Sequence, residues 1–479
     1  MCKPREIPKV SELMIFPRRL CCVLMAFVII PSFLQSEASI QIRQNKTPPD
    51  GTLLQWTDPN PDQSYIVQSR DELGEGIWLT APHSAPWPIL TKEFLDTRPS
   101  VAKRFFRVVS AQRAERGRII STTTSATYDS NQLNSIFQQE GISINAQYDV
   151  VIHKIVYETI GPWGEKVQAS GMLALPQTKG PAWPLVSYQH GTLTQRSNAP
   201  SAASDLEGLV FASTGYVTVL PDYLGLGDSP GVQFYLHART TATTGVDLIR
   251  AVRTFCTNQS ISLNGQVFLC GFSQGGHATL AMLREIEKFH ANEFTISAAA
   301  PIAGPYDLSE ESTEDFLSGR LNSPVFFSLL LASYQEIYQL APSWADILQA
   351  PYDVNLPPLL NGEHSSEEID TLLPDKPSDA IRPQYLAAFR DNPQHPLRLA
   401  LRENDVIGWK PLAPVRLYHC HADEVVLYAN STSALESFHS QGATQVQLVD
   451  PAPSIDYSHG SGFLPCMELT KAWFDSLKQ

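Results

Sequence analysis

Residues 264–283, NGQVFLCGFSQGGHATLAML, leave this chain few folds to choose from. The run Val267-Phe268-Leu269-Cys270 is apolar without alternation, the pattern of a strand buried on both faces of a parallel sheet. From His277 onward, Ala278, Leu280, Ala281 and Leu283 recur at helical spacing and no proline interrupts them. Between the two lies Gly271-Phe272-Ser273-Gln274-Gly275-Gly276. A strand that enters a helix through G-x-S-x-G turns so sharply that its serine takes a strained conformation, and glycines beside it keep other side chains clear. The Ser273 hydroxyl would then stand free of the backbone near the positive end of a helix. A Gly/Ser turn packed under a helix has the same letters. The strand before and the helix after favour Ser273 as a nucleophile.

Serine is a poor nucleophile at neutral pH and needs a base, which needs a carboxylate to hold its tautomer. On a sheet of this kind the partners follow in the order Ser, acid, His. The strand VRLYHC runs into His421-Ala422-Asp423-Glu424-Val425-Val426, which places Asp423 just beyond a buried strand, anchored by an apolar pair. Asp423 is the expected acid, with Glu424 and Asp307 as fallbacks. The strand TQVQLVD leads to a Gly/Ser loop that holds His459, 36 positions after Asp423 (459 − 423). His459 is the expected base. His190, His237, His277, His419 and His421 also fall near site loops and are read as structural. An oxyanion needs two backbone donors: the amide of Gln274 is one, and Thr192, in the loop His190-Gly191-Thr192, is the other, with Gly191 as the alternative.

The first 38 residues read as an export signal. Lys3, Arg5, Lys9, Arg18 and Arg19 precede an apolar run over residues 20–30, and Ser36-Glu37-Ala38 supplies small residues for cleavage after Ala38. The run is too short to span a bilayer comfortably. This segment carries five Lys/Arg and three Asp/Glu, so the mature chain has a net charge of −14 − 2 = −16. That acidity argues against nucleic acid or anionic membrane as a partner. Cys256, Cys270, Cys420 and Cys466 remain after cleavage. An exported chain permits disulfides, and a bridge between Cys420 and Cys466 would brace the acid and base loops. None of the four has metal-ligand spacing with histidine.

At 479 residues the chain is long enough for two domains. Residues 45–112 alternate over short stretches at Leu53, Tyr65, Ile77 and Phe105, separated by Pro, Gly and Asp turns, and read as a small β-sandwich. Residues 113–127, charged and then rich in Ser and Thr, read as a linker. Residues 128–479 alternate strand and helix, which implies an α/β domain with a mostly parallel sheet covered on both faces. Between about residues 308 and 410 the rhythm stops, and apolar helices such as PVFFSLLLASYQEIYQLAPSW suit a cap over a pocket.

GFSQGG, QHGT, PDYLGLGDS, HADEVV and SHGSG, in that order, resemble the α/β-hydrolase superfamily over about residues 128–479. Within it, YETIGPWGEKVQASGMLALP followed by SYQHGT is similar to bacterial secreted esterases of the secretory-lipase type, with a distant likeness to prolyl-oligopeptidase-type peptidases. LLQWTDPNPDQSYIVQSRDEL with RFFRVV resembles a fibronectin-like β module. Gln274 departs from the commoner lipase elbows, which carry Gly, His or Asp there.

The expected function is that of an exported serine hydrolase that cleaves carboxylic esters through an acyl-enzyme, with Ser273, Asp423 and His459 as triad and Gln274 and Thr192 at the oxyanion. No metal or organic cofactor is implied. The partner is a small-molecule or lipid-like ester, and the N-terminal module suits docking to a surface or polymer. A serine peptidase on the same fold and a non-catalytic binding protein on a hydrolase scaffold are the alternatives.

Overall fold

The computed structural model describes residues 10–13, 40–45 and 50–479, apart from 72–75, 83–85, 100, 102, 179 and 321–322. Most of the expected export signal, including its cleavage point, lies outside the described residues. The chain forms two compact units, Met1–Arg113 with Trp163–Lys166, and Ala114–Pro162 with Val167–Gln479.

The larger unit is built on nine strands: β1 (Ile119–Tyr128), β2 (Val150–Ile160), β3 (Lys166–Pro176), β4 (Trp183–Gln189), β5 (Val217–Pro221), β6 (Leu263–Phe272), β7 (Ile296–Ile302), β8 (Val415–Tyr418) and β9 (Val446–Val449). Their order in the sheet is β9-β8-β7-β6-β4-β5-β3-β2-β1. From β5 to β9 every pairing is parallel. β3 joins β5 antiparallel, and β1 joins β2 antiparallel at the edge. Parallel neighbours require crossovers, and helices Ala238–Asn258 and Gln274–Phe289 supply two of them while packing on each other. The chain moves outward one way after β4 and the other way after β6. A crevice therefore opens at the carboxyl ends of those two adjacent strands, where ligands of open α/β sheets bind.

Burial explains the strand assignments. Val267, Phe268, Leu269 and Cys270 of β6 are each at most 2% exposed, as an unalternating apolar run between two helical layers must be. Residues 113–127 are not a linker: β1 occupies most of them. Its sequence, IISTTTSATY, is threonine-rich, and β-branched threonine suits an exposed edge strand as well as its polarity suits a loop. The segment between β7 and β8 is helical as expected, with seven α-helices from Glu311–Ser318 to Pro396–Glu403 among its described residues. Its longest, Pro324–Tyr338, buries residues around much of its circumference, including Val325, Leu331, Tyr334 and Ile337.

The smaller unit is a pair of antiparallel sheets. Val10–Leu13, Phe105–Gln112, Gln63–Arg70 and Leu79–Thr80 form one, and Ile40–Asn45, Gly51–Trp56 and Glu93–Asp96 the other. The second sheet begins before residue 45, where the module was expected to start. Leu54, Trp56, Tyr65, Phe94 and Phe106 make its core, with Trp56 and Tyr65 edge to face at 5.2 Å.

Candidate active site

β6 ends at Phe272 and the next helix starts at Gln274, earlier than the apolar repeat from His277 suggests. Ser273 alone makes the turn, at φ 59° and ψ −120°. This backbone is unfavourable for any residue with a Cβ, and neighbouring carbonyls enforce it. The Ser273 amide donates to Ile302 O of β7 at 2.9 Å. A Cβ at Gly275 would lie 1.9 Å from Gln189 O, one at Gly271 2.5 Å from the same atom, and one at Gly276 2.6 Å from Ile302 O. The elbow glycines are thus required for space: β4, β6, β7 and the helix converge here too closely for any side chain.

Asp423 and His459 come together. His459 Nδ1 donates to Asp423 Oδ2 at 2.6 Å. The other carboxylate oxygen accepts the amides of Val425 and Val426, both at 2.9 Å. Burial by itself would raise the Asp423 carboxyl, but hydrogen bonds and charge from His419 and His459 outweigh it and hold the group well below the usual carboxylate range. The His459 ring stacks on Phe272, the residue before the elbow serine, at 4.5 Å and 29°. Among the described residues no hydrogen bond joins Ser273 Oγ to His459 Nε2, as is common before substrate tightens such a site. Glu424, a fallback acid, accepts the His459 amide at 3.1 Å. Asp307, the other fallback, bonds instead to Ser433 Oγ and the Glu310 amide.

Gln274 opens a 16-residue helix, so its amide belongs to the first turn, where N–H groups lack intrahelical partners. Gly191 lies beside the elbow: a Cβ there would be 3.9 Å from Ser273 Cβ. The Thr192 hydroxyl meets Tyr235 Oη at 2.8 Å. His190 and His277 are buried, which drives both down to about 4 and leaves them neutral. His277 Nε2 donates to Asn404 O at 2.8 Å, a structural contact. His421 pairs with Asp450 at 2.6 Å and Asp456 at 3.1 Å, so it ties strand β9 to the loop that leads to His459. His419, expected to be structural, lies directly on Asp423, with Nε2 3.2 Å from Oδ2. Its position four residues before the acid, at the end of an apolar strand, was the available signal.

All four described cysteines are free. Cys420 and Cys466 are both free thiols, so no bridge braces the acid and base loops. Gly462, one turn before Cys466, leaves the room that Cys420 Sγ fills.

Ser273 lines an apolar cavity that is partly open to solvent. Leu308, Phe316, Phe327, Leu330 and Phe389 from the helical insertion form much of its wall, and Val425 and Val426 close it beside Asp423. Phe316 and Phe327 are stacked at 4.4 Å. An enclosure this apolar favours hydrocarbon over charged groups.

A family model of the secretory lipases matches residues 204–310, which include the elbow. No curated protein matches the chain. Among solved structures, a ligand-bound form of the rice cell wall degrading esterase LipA from Xanthomonas oryzae is 28% identical, with a TM-score of 0.70 over 75% of this chain and 98% of that one. A protein from Legionella pneumophila, 24% identical, has a TM-score of 0.68 over 75% and 98% of the two chains. Candida antarctica lipase A in its closed state, 16% identical, gives 0.56 over 76% and 83%, a likeness of fold alone. Sheet order, elbow and these likenesses together give the chain an α/β-hydrolase fold, similar over residues 204–310 to the secretory lipases.

Proposed function

We propose that this carboxylic ester hydrolase works through an acyl-enzyme on Ser273, with His459 as base and Asp423 as its orienting acid. The observation that carries the reading is the 2.6 Å bond from His459 Nδ1 to Asp423, made by an imidazole stacked on the residue that precedes the strained serine. With Nδ1–H committed to Asp423, Nε2 is the acceptor. It takes the Ser273 proton as Oγ attacks the ester carbonyl, then returns it to the departing alcohol. Water repeats the sequence to release the acid. The amides of Gln274 and Thr192, or Gly191 in place of Thr192, hold the oxyanion.

The apolar cavity beside Ser273 suits the acyl group, which makes esters of alkyl or aryl acids the substrate class. LipA from Xanthomonas oryzae is named for degrading rice cell wall, and an exported enzyme that meets substrate outside the cell fits the signal read in residues 1–38. No described helix is long and apolar enough to cross a membrane. The smaller unit is a candidate for attachment to a surface or polymer.

Hydrolysis of p-nitrophenyl esters by the purified mature protein, compared with Ser273→Ala, tests the reading. The variant is expected to lose about 10³-fold or more in kcat and all labelling by a fluorophosphonate. Turnover by Ser273→Ala near the wild-type rate would overturn the assignment.

A further inference from the structure

His459 is not the only imidazole that holds Asp423. His419, fully buried at the end of β8, lies 3.2 Å from the same carboxylate oxygen. The neighbours of its two ring nitrogens fix its tautomer. Nε2 faces Asp423 Oδ2 and, at 2.9 Å, Val426 O. Both are acceptors only, so Nε2 carries the proton and shares it between them. Nδ1 is then the acceptor, and its neighbour, Ser431 Oγ at 2.7 Å, must donate. Ser431 is also fully buried, on helix Ala429–Ser440, which packs against β9. A line of protons thus runs from Ser431 to His419 to Asp423, and meets there the proton held by His459.

We propose that His419 is a positioning residue for the reaction, with Ser431 as the group that sets its tautomer. The proposal rests on the triad reading above. Asp423 Oδ1 is occupied by two backbone amides, so the carboxylate cannot turn without breaking them. The His419 proton fixes the second oxygen where His459 needs it and takes up part of its negative charge. Without that donor, Oδ2 would keep its full charge for His459 alone and would face a buried imidazole it no longer bonds. The other charged or titratable groups around this pair are Glu424, which binds the His459 amide, Tyr428, whose ring lies 5.4 Å from that of His419, Cys420 and the His421–Asp450 pair.

The test is steady-state hydrolysis of one p-nitrophenyl ester by His419→Leu, His419→Gln and Ser431→Ala, with kcat and KM read separately across pH. In His419→Leu, kcat should fall on the order of tenfold to a hundredfold while KM stays within about twofold, because the loss is felt in the transition state. The acid limb of kcat/KM should move to higher pH, since a carboxylate relieved of one donor stabilises the His459 cation more strongly. His419→Gln, whose side-chain amide reaches about as far as Nε2, should recover most of the loss. Ser431→Ala, which leaves the ring free to hold its proton on Nδ1, should cost a few-fold. A folded His419→Leu enzyme with wild-type kcat and acid limb would overturn the proposal. So would a Gln variant no better than Leu. If the Leu variant does not fold, Ser431→Ala decides, and a folded Ser431→Ala enzyme with wild-type kcat and acid limb would overturn the proposal. Failure of the triad itself reads differently, as activity that survives Ser273→Ala.

Discussion

The two ends of the proposed relay are built by different means. At the serine end, backbone packs on backbone: carbonyls of Gln189 and Ile302 stand where side chains at Gly271, Gly275 and Gly276 would go, and the turn has no freedom left. At the histidine end, side chains do the holding. His459 leads a helix capped by Ser458, and its place depends on Asp423, Glu424, the Phe272 ring and the His421 bracket. Close packing tolerates no added atom, whereas each hydrogen bond can be lost singly. Atoms added at the first end should therefore appear as failure to fold, and bonds lost at the second as slow turnover by a folded enzyme.

Gly275→Ala would test that contrast hardest. A methyl 1.9 Å from Gln189 O forces β4 and the elbow apart, at a cost of about 3 kcal/mol or more, and thermal unfolding or loss of soluble protein would record it. Asp423→Asn should fold and yet lose about 10³- to 10⁴-fold in kcat, because an amide can present an N–H where His459 needs an acceptor. The same variant has a pH signature. Asp423 has a depressed carboxyl in the folded state, so it contributes stability above its unfolded value of about 3.9, and this stability is lost as pH falls through the lower folded value. Acid unfolding of Asp423→Asn should accordingly show a shallower dependence on pH below about 4. Phe272→Leu removes the ring under His459 and should lower kcat about three- to tenfold. Glu424→Gln, which weakens one exposed bond to the His459 amide, should cost about twofold or less. If the glycine variant folds normally, or the Asn variant unfolds, the contrast fails.

What was legible in the sequence was whatever local physics sets. The unalternating run at 267–270 could only be a strand covered on both sides, and G-x-S-x-G after it could only be a turn crowded by backbone. Asp423 and His459 followed from chain order and from loops placed after apolar strands. Side-chain partnerships over distance were less readable. Nothing local to His419 says that Ser431, on another element, fixes its proton, and nothing at Phe327 says that Phe316 stacks on it. β1 was misread for a different reason: serine and threonine are common in linkers, and only its pairing with β2 shows that the β-branched threonines serve a strand. The thiols of Cys420 and Cys466 are neighbours, as the spacing of their loops suggested, though adjacency did not entail a bond.

The apolar chamber beside Ser273 bears on what takes the place of the first product. On the proposed acyl-enzyme route, an acyl group lodged there leaves the attacker of the second half-reaction to enter where the first alcohol left. A path that releases an alcohol also admits one. Methanol or glycerol in the medium should therefore intercept part of the acyl-enzyme, so that the protein hands acids from one hydroxyl to another as well as setting them free.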